Sequence, residues 1–167
     1  GGADVPLIRK FLDGFEAGAK AMNSNIEILS AFPDDFGNPE MGASITNEMI
    51  DNDADILFAA AGLTGVGMLQ EAEKRGKYAI GVDSDQYFYA EKAVVSSMQK
   101  HVDVAIFNMI ESLSVDGTFE SGTIIEFGLN EGGIGLSPIR VVNNPPHYEA
   151  IVSSWSKQLL NENDGSK

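Results

Sequence analysis

The chain has 167 residues, of which 43% are hydrophobic and 22% charged, and its formal net charge is −14. This composition fits one globular domain or two small lobes, and the negative charge disfavours binding to nucleic acids and to anionic lipids. The absence of cysteine excludes disulfides, thiolate metal sites and a cysteine nucleophile, and with only two histidines, His101 and His147, a histidine-based metal site or triad is not expected.

Targeting signals are not evident in these residues. No apolar run approaches the ~18 residues that a membrane span needs. The N-terminal residues also lack the basic region and following apolar region of a signal peptide. We therefore expect neither feature within the sequence given.

The first third of the chain alternates helical and strand patterns. Apolar residues at helical spacing predict a helix from Val5 to Met22, in which Gly14 and Gly18 lie four residues apart and suggest close packing on a sheet. A strand is predicted from Ile26 to Phe32. Asn38 then caps a second helix, because the next residue is a proline, which suits a first helical position.

A glycine-rich turn is predicted after the second strand, Ala54–Ala61. The turn runs from Gly62 to Gly67, and a helix follows from Met68 to Arg75. A strand that leads through glycines into a helix lets a ligand approach backbone N–H groups at the helix N-terminus. The residues match neither a Walker loop nor a complete dinucleotide-binding motif, so the glycines could equally serve a tight turn.

The stretch 78–87, YAIGVDSDQY, is the one around which the chain is organised. Its apolar run Tyr78–Val82 predicts a buried strand, which stops at the polar residues Asp83-Ser84-Asp85-Gln86, for which no core role is expected. In an open α/β sheet, ligands bind beyond the carboxyl ends of the strands, so these side chains are a candidate floor for a polyhydroxylated ligand. The alternative is a surface loop in which Asp83 or Ser84 caps the next helix.

The second half of the chain continues the alternation and predicts a parallel, doubly wound α/β sheet. The predicted elements are a strand at Val94–Met98, a helix at His101–Val115 ended by Asp116-Gly117, a strand at Thr123–Phe127, a glycine-rich bend at Gly128–Gly135 and a last helix that starts at Asn143-Asn144-Pro145-Pro146 and runs through Leu160.

Several stretches together resemble one family. They are GGADVPLIRKFLDGFEAG, ADILFAAAGLTGVG, KYAIGVDSDQ, SSMQKHVDVAIFNMI and FGLNEGGIGLSP. In this order and spacing they resemble the basic membrane protein (BMP) lipoproteins, which include the purine-nucleoside receptors of ABC importers. The resemblance extends from residue 1 to about Pro138.

The resemblance implies a type I periplasmic-binding-protein fold, in which two α/β lobes joined by three crossovers close on a ligand. The chain is similar to the second lobe plus a piece of the first. Residues 1–90 would form the second-lobe core, 91–122 a segment of the first lobe, and 123–167 the return to the second lobe with the C-terminal helix. The family's amino-terminal lobe and lipobox cysteine are not among these residues.

The resemblance also implies contacts to a base. Phe58, at the end of its strand, would place an aromatic face on the base, whereas without the resemblance it is a core aromatic. Gly62 and Gly65 would let the base edge or the sugar reach the backbone.

The sugar would contact the polar residues that follow the strands. Asp83, and with it Asp85, would accept hydrogen bonds from the ribose 2′- and 3′-hydroxyls, because an ionised carboxylate offers two acceptor oxygens. Lys100 would donate to the ribose and pair with the aspartate; its alternative role is a surface helix-cap lysine.

The function implied is that of an extracytoplasmic receptor, lipid-anchored in its full-length form, which binds a purine nucleoside unchanged and delivers it to an ABC permease. No cofactor is expected. One alternative is a nucleoside- or sugar-processing enzyme that holds a metal between Asp83 and Asp85, and another is a ligand-sensing regulatory domain. The amino-terminal lobe would complete the base site, and the exposed cleft face of this chain would favour self-association.

Overall fold

The computed structural model describes residues 1–116, 122 and 124–164, and these residues form a four-stranded sheet. The strands lie side by side in chain order: β1 (Ile56–Phe58), β2 (Tyr78–Asp83), β3 (Val94–Lys100) and β4 (Ile134–Leu136). β1, β2 and β3 are parallel, whereas β4 runs antiparallel to β3. The α/β class predicted from the sequence is confirmed, and the sheet is mixed rather than wholly parallel.

Five α-helices accompany the sheet in the described part of the chain. They are α1 (Pro6–Met22), α2 (Pro39–Asp51), α3 (Gly62–Lys74), α4 (Val102–Asp116) and α5 (Pro145–Asp164). A short 3₁₀ turn at Tyr87–Tyr89 lies between β2 and β3. No helix among the described residues has the length and apolar character needed to cross a membrane.

The core lies where α2 and α3 pack against the sheet. Leu57 of β1, Leu69 of α3 and Val94 of β3 are buried together with the small residues Ala72 and Ala79. Burying this apolar surface supplies the main driving force for folding, roughly 25 cal/mol for each Å² removed from water. The core therefore fixes β1 and β2 side by side, with their carboxyl ends at one edge of the sheet.

The glycine-rich segment Gly62–Gly67 is helical, so the prediction of a turn there is wrong. α3 begins at Gly62, whose φ of +58° gives the chain a sharp entry that residues with a Cβ rarely adopt. A Cβ at Gly67 would lie 1.9 Å from the carbonyl oxygen of Pro39 in α2, and one at Gly42 of α2 would lie 1.9 Å from that of Thr64. The glycines thus allow the backbones of α2 and α3 to touch.

Thr64 fastens the loop before α2 to the start of α3. Its hydroxyl donates to the carbonyl of Asp35 at 2.8 Å and accepts from the N–H of Asn38 at 2.9 Å. Asn38 in turn caps α2, because its side-chain oxygen accepts from the N–H of Met41 at 3.0 Å. The predicted cap at Asn38 is therefore confirmed.

Residues 26–32, predicted as a strand, are not part of the sheet. A strand needs a neighbouring backbone with which to exchange ladder hydrogen bonds, and here the neighbour is the two-residue segment Gly1–Gly2. The amino group of Gly1 donates to the carbonyl of Ala31 at 2.9 Å. We call residues 26–32 the outer segment.

Other predicted elements differ in detail. Gly14 and Gly18 face open space, since a Cβ at either would meet nothing within 4 Å, so the predicted close packing there is wrong. Residues 124–127 form no strand, and Thr123 lies outside the described residues. The predicted bend Gly128–Gly135 contains the start of β4, whose ladder to β3 is a long-range pairing without a local signal.

The position of β3 bears on the predicted lobes. β3 pairs with β2 from Ala79 to Asp83, so residues 94–100 share one sheet with residues 78–83, which the resemblance assigns to the second lobe. The division of the chain into lobes, with residues 91–122 in the first, stays a prediction.

Candidate functional site

The carboxyl ends of β2 and β3 bring two opposite charges together. Asp83, the last residue of β2, pairs in register with Gln99, so the next residue of β3, Lys100, lies at the same edge. Lys100 Nζ is 2.8 Å from Asp83 Oδ1, and the two side chains are 42% and 59% exposed. An ion pair this exposed adds at most about 1 kcal/mol to stability, so it leaves both groups available to a ligand.

The backbone at Asp83 turns the carboxylate away from the strand. Asp83 has φ of +69°, in the left-handed region, and the N–H of Ser84 donates to the carbonyl of Val82 at 2.9 Å. Among residues other than glycine, Asp and Asn tolerate this conformation best. The strand therefore ends abruptly at Asp83, as the sequence predicts, and the following residues leave the sheet.

Three phenylalanines form a cluster next to this ion pair. Phe11 and Phe15 belong to α1 and Phe58 ends β1, and we call the three the aromatic cluster. Lys100 Nζ lies 4.8 Å from the ring centroid of Phe11. The ring of Phe58 lies 6.5 Å from that of Phe11 and stacks on that of Phe15 at 5.4 Å. Phe11 thus lies between Phe58 and Lys100, which is paired with Asp83.

Phe58 is half-buried, and its surroundings limit what it can do. Phe15 covers part of its ring, and the remainder faces an apolar cavity beneath α1. Phe58 thus ends β1 and packs against α1, and its contact with a base stays a prediction.

The two glycines predicted to contact ligand lie in the first turn of α3. Gly62 is exposed at the helix N-terminus, where its backbone is accessible. Gly65 is buried, and a Cβ there would lie 3.1 Å from the carbonyl oxygen of Ala59. Because Gly65 serves this close packing, its backbone is not open to a ligand in the present conformation.

Asp85 binds within the protein instead of joining Asp83. Arg140 donates to it from both terminal guanidinium nitrogens, with Nη2 at 3.0 Å from Oδ2 and Nη1 at 3.1 Å from Oδ1. The N–H of Tyr87 also donates to Asp85, at 3.3 Å, and the Arg140 guanidinium lies 4.6 Å from the Tyr87 ring centroid. Asp85 therefore anchors the chain that follows β4.

The pKa of Asp85 reflects this pairing. Desolvation by burial raises the pKa, but the hydrogen bonds from Arg140 and from the Tyr87 backbone, together with the Arg140 charge, hold it below its ordinary value. At neutral pH the Asp85 carboxylate is therefore ionised and bound to Arg140. Of the two aspartates, Asp83 is the one left exposed.

Gln86 is also structural, contrary to the expectation that it has no core role. Its side-chain oxygen accepts from the N–H of Val82 at 2.9 Å, and its own N–H donates to the Ser97 hydroxyl at 3.0 Å. A Cβ at Gly81 would lie 2.3 Å from that hydroxyl, so Gly81 makes room for the contact.

Sequence reasoning missed Phe11 and Arg140. Phe11 and Phe15 lie four residues apart on α1, which placed them on its buried face but gave no sign of the contact with Lys100. Arg140 is 55 residues from Asp85, and nothing local marks it. No group of three or more His, Asp or Glu residues within 1–116, 122 and 124–164 could hold a metal ion.

Chemically, the edge offers an acceptor and a donor beside an aromatic surface. An exposed carboxylate accepts hydrogen bonds from hydroxyls, and an ammonium 2.8 Å away donates to their oxygens. Such a pair is suited to a vicinal diol, and the adjacent rings are suited to a flat apolar group.

Comparison with known proteins finds a consistent family match. A family model, Bmp, described as ABC transporter substrate-binding protein PnrA-like, matches residues 1–164. Basic membrane protein D of Borreliella burgdorferi (strain JD1) is 38% identical over 138 residues, which cover 81% of this chain and 40% of that protein. Basic membrane protein A of Borreliella afzelii is 34% identical over 168 residues, 97% of this chain and 50% of that protein. The chain thus spans about half the length of these relatives.

Solved structures show the same fold. An ABC transporter solute-binding protein from Aeropyrum pernix K1 is 31% identical, with a TM-score of 0.65 over 93% of this chain and 43% of that one. A solute-binding protein from Conexibacter woesei is 21% identical, with a TM-score of 0.78 over 96% of this chain and 53% of that one. A transcriptional activator of the comK gene from Bacillus halodurans is 22% identical, with a TM-score of 0.73 over 85% of this chain and 49% of that one. At this identity the last two show the fold alone.

Proposed function

Because the chain belongs to the Bmp family of PnrA-like ABC transporter substrate-binding proteins, we propose that it is part of a receptor that binds a purine nucleoside without changing it. The receptor hands the nucleoside to an ABC permease. It acts outside the cytoplasm, held to the membrane by a lipid anchor on the full-length protein.

The observation that carries the proposal is the Asp83–Lys100 pair at the carboxyl edge of the sheet. Asp83 accepts hydrogen bonds from the 2′- and 3′-hydroxyls of the ribose, and Lys100 donates to one of their oxygens. Asp85 is not part of this contact, because Arg140 occupies it.

The base lies against the aromatic cluster, next to the sugar. Stacking of a base on an aromatic side chain contributes roughly 1–3 kcal/mol. Phe11 is the ring that Lys100 contacts, and Phe58 lies 6.5 Å from Phe11. Gly62 leaves the backbone at the start of α3 open to the base edge.

The first lobe, which is not among these residues, completes the site in the whole receptor. The relatives are about twice as long as this chain, and α4 exposes large apolar side chains, of which Phe107 is 64% exposed. The first lobe packs over this face of α4 and supplies further contacts to the base. With only this half of the site, the chain binds nucleoside weakly, with a dissociation constant on the order of millimolar.

Nuclear magnetic resonance titration of the chain tests the proposal. Guanosine, adenosine and inosine should shift the Asp83 and Lys100 signals saturably, and simple sugars should not. The variant Asp83→Asn should weaken binding about tenfold or more, since a hydrogen bond to a charged group is lost. Glu91→Gln is the matched control, because Glu91 is exposed at the amino end of β3, away from the site.

A deoxynucleoside separates sugar recognition from other effects. 2′-Deoxyguanosine should bind the unchanged chain less tightly than guanosine, and the difference should shrink in Asp83→Asn. Saturable binding of a sugar but of no nucleoside would exclude the nucleoside assignment. Release of free base during the titration would indicate an enzyme instead of a receptor.

A further inference from the structure

The chain makes a sharp turn where β2 ends, and we call residues 83–86 the β2 turn. It begins at Asp83, whose φ of +69° lies in the left-handed region. This conformation is unfavourable for a residue with a Cβ and persists only where neighbouring groups hold it in place. An ion pair as exposed as that of Asp83 with Lys100 restrains its partners little. The restraint on Asp83 therefore comes from other contacts of the turn.

Gln86 holds the far end of the β2 turn against the sheet. Its side-chain oxygen accepts from the N–H of Val82 at 2.9 Å, directly before Asp83. Its own N–H donates to the hydroxyl of Ser97 in β3 at 3.0 Å. These two bonds fix where the turn begins and ends, but they leave open how the residues between are oriented.

Arg140 supplies a further point of attachment, inside the β2 turn. Its guanidinium donates to both carboxylate oxygens of Asp85, at 3.0 Å and 3.1 Å. The Arg140 and Asp85 side chains are 30% and 26% exposed, so this pair is less exposed than that of Lys100 and Asp83. A bidentate pair fixes the orientation of the carboxylate as well as its distance.

Arg140 is itself held on the sheet. Its N–H donates to the carbonyl of Val95 in β3 at 2.7 Å, and its guanidinium lies 4.6 Å from the ring centroid of Tyr87. The chain before it is also fixed, because the hydroxyl of Ser137 accepts from the N–H of Ser97 at 2.9 Å. The guanidinium therefore extends from a backbone that β3 holds in place.

We propose that Arg140 is a positioning residue for the sugar site: through Asp85 it holds Asp83 in the left-handed conformation that places its carboxylate beside Lys100. Arg140 does not touch the sugar. Without it the β2 turn relaxes, and the carboxylate leaves the position in which it accepts from a diol. The consequence for binding rests on the proposed function, whereas the effect on the Asp83 backbone needs no ligand.

The variant Arg140→Met tests both effects by nuclear magnetic resonance. Without ligand, the three-bond coupling between the amide and α protons of Asp83, which reports φ, should change from its left-handed value toward that of an extended strand. Guanosine should bind about three- to tenfold more weakly than to the unchanged chain, because a hydrogen bond to a charged group is misaligned. 2′-Deoxyguanosine should lose less affinity, since it lacks one of the hydroxyls that Asp83 receives.

Two further variants separate positioning from a loss of charge or of stability. Arg140→Lys keeps the positive charge but cannot form the bidentate pair, so it should restore only part of the guanosine affinity. Arg75→Met is the matched control, because it removes an arginine whose ion pair with Asp51, at 2.7 Å, lies beyond the C-terminus of α3. It should leave the Asp83 coupling and guanosine binding unchanged.

An unchanged Asp83 coupling in Arg140→Met would overturn the proposal, and so would equal losses of affinity for the two nucleosides. If Arg140→Met does not fold, Asp85→Asn breaks the same pair from the other side and is read in the same way. If the unchanged chain binds no nucleoside, the proposed function fails, and the Asp83 coupling alone decides whether Arg140 positions the turn.

Discussion

Two aspartates that sequence alone cannot distinguish have different roles in the structure. Asp83 is the last residue of β2 and Asp85 lies two residues beyond it, and both were expected at the sugar. Asp83 remains exposed beside Lys100, whereas Asp85 is held by Arg140 from the far end of the chain. Local sequence identifies the edge of the sheet where polar side chains collect. It cannot say which of them has a long-range partner.

The pairing of Asp85 predicts a pH-dependent contribution to stability. Its folded pKa is below its ordinary value, so the stabilisation is present above about pH 4, where the unfolded carboxyl is ionised, and is lost as the pH falls through the folded pKa. We expect Asp85→Asn to lower the free energy of unfolding by about 1–2 kcal/mol at pH 7, with the difference shrinking below pH 4.

Urea unfolding of both proteins between pH 3 and pH 7 measures this difference. Asp13→Asn, which alters an exposed carboxylate on α1, serves as the control and should change stability little. A deficit for Asp85→Asn that is the same at every pH would contradict the assigned ion pair.

Helices with strong local signals follow the sequence closely. α1 and α2 begin at Pro6 and Pro39 and have the predicted apolar spacing, and the Asn38 cap is in place. The start of α3 was missed, because Gly62–Gly67 is rich in a residue that favours turns and is helical only through packing on α2. β4 and the outer segment depend on which backbone lies beside them, and that information is not local.

Glycines in two helices should respond oppositely to alanine. Gly67→Ala places a Cβ against the Pro39 carbonyl and should cost about 1–3 kcal/mol, since the backbones must separate. Gly14→Ala meets open space and should stabilise the protein by about 0.5–1 kcal/mol through helix propensity. Chemical denaturation of the two variants measures both effects. A loss of stability in Gly14→Ala would mean that α1 packs more closely than described.

In the whole molecule, some elements pack around a buried core and others, such as α4, are largely exposed. α2, α3 and β1–β3 supply the buried apolar core. α4 exposes Val102, Ile106, Phe107 and Ile110, an unusual amount of apolar surface for one helix of a soluble domain. In relatives twice as long, further chain is available to cover such a face.

The exposed face of α4 predicts self-association of the isolated chain. We expect Phe107→Glu to shift the chain toward the monomer in sedimentation velocity, with an unchanged thermal midpoint, because Phe107 is largely exposed. Ser112→Glu adds the same charge to the same helix at an exposed polar position and is the control. Equal sedimentation of the two variants would place the association surface elsewhere.

The Lys100 ammonium contacts both Asp83 and the Phe11 ring, so a change at one contact affects the other. A diol that takes the Asp83 oxygens must compete with Lys100 or draw it away from Phe11. Since α1 has no fully buried residue to hold it in place, its anchoring is sensitive to that exchange. We therefore expect a ligand bound at the strand ends to change the rate of amide exchange along α1.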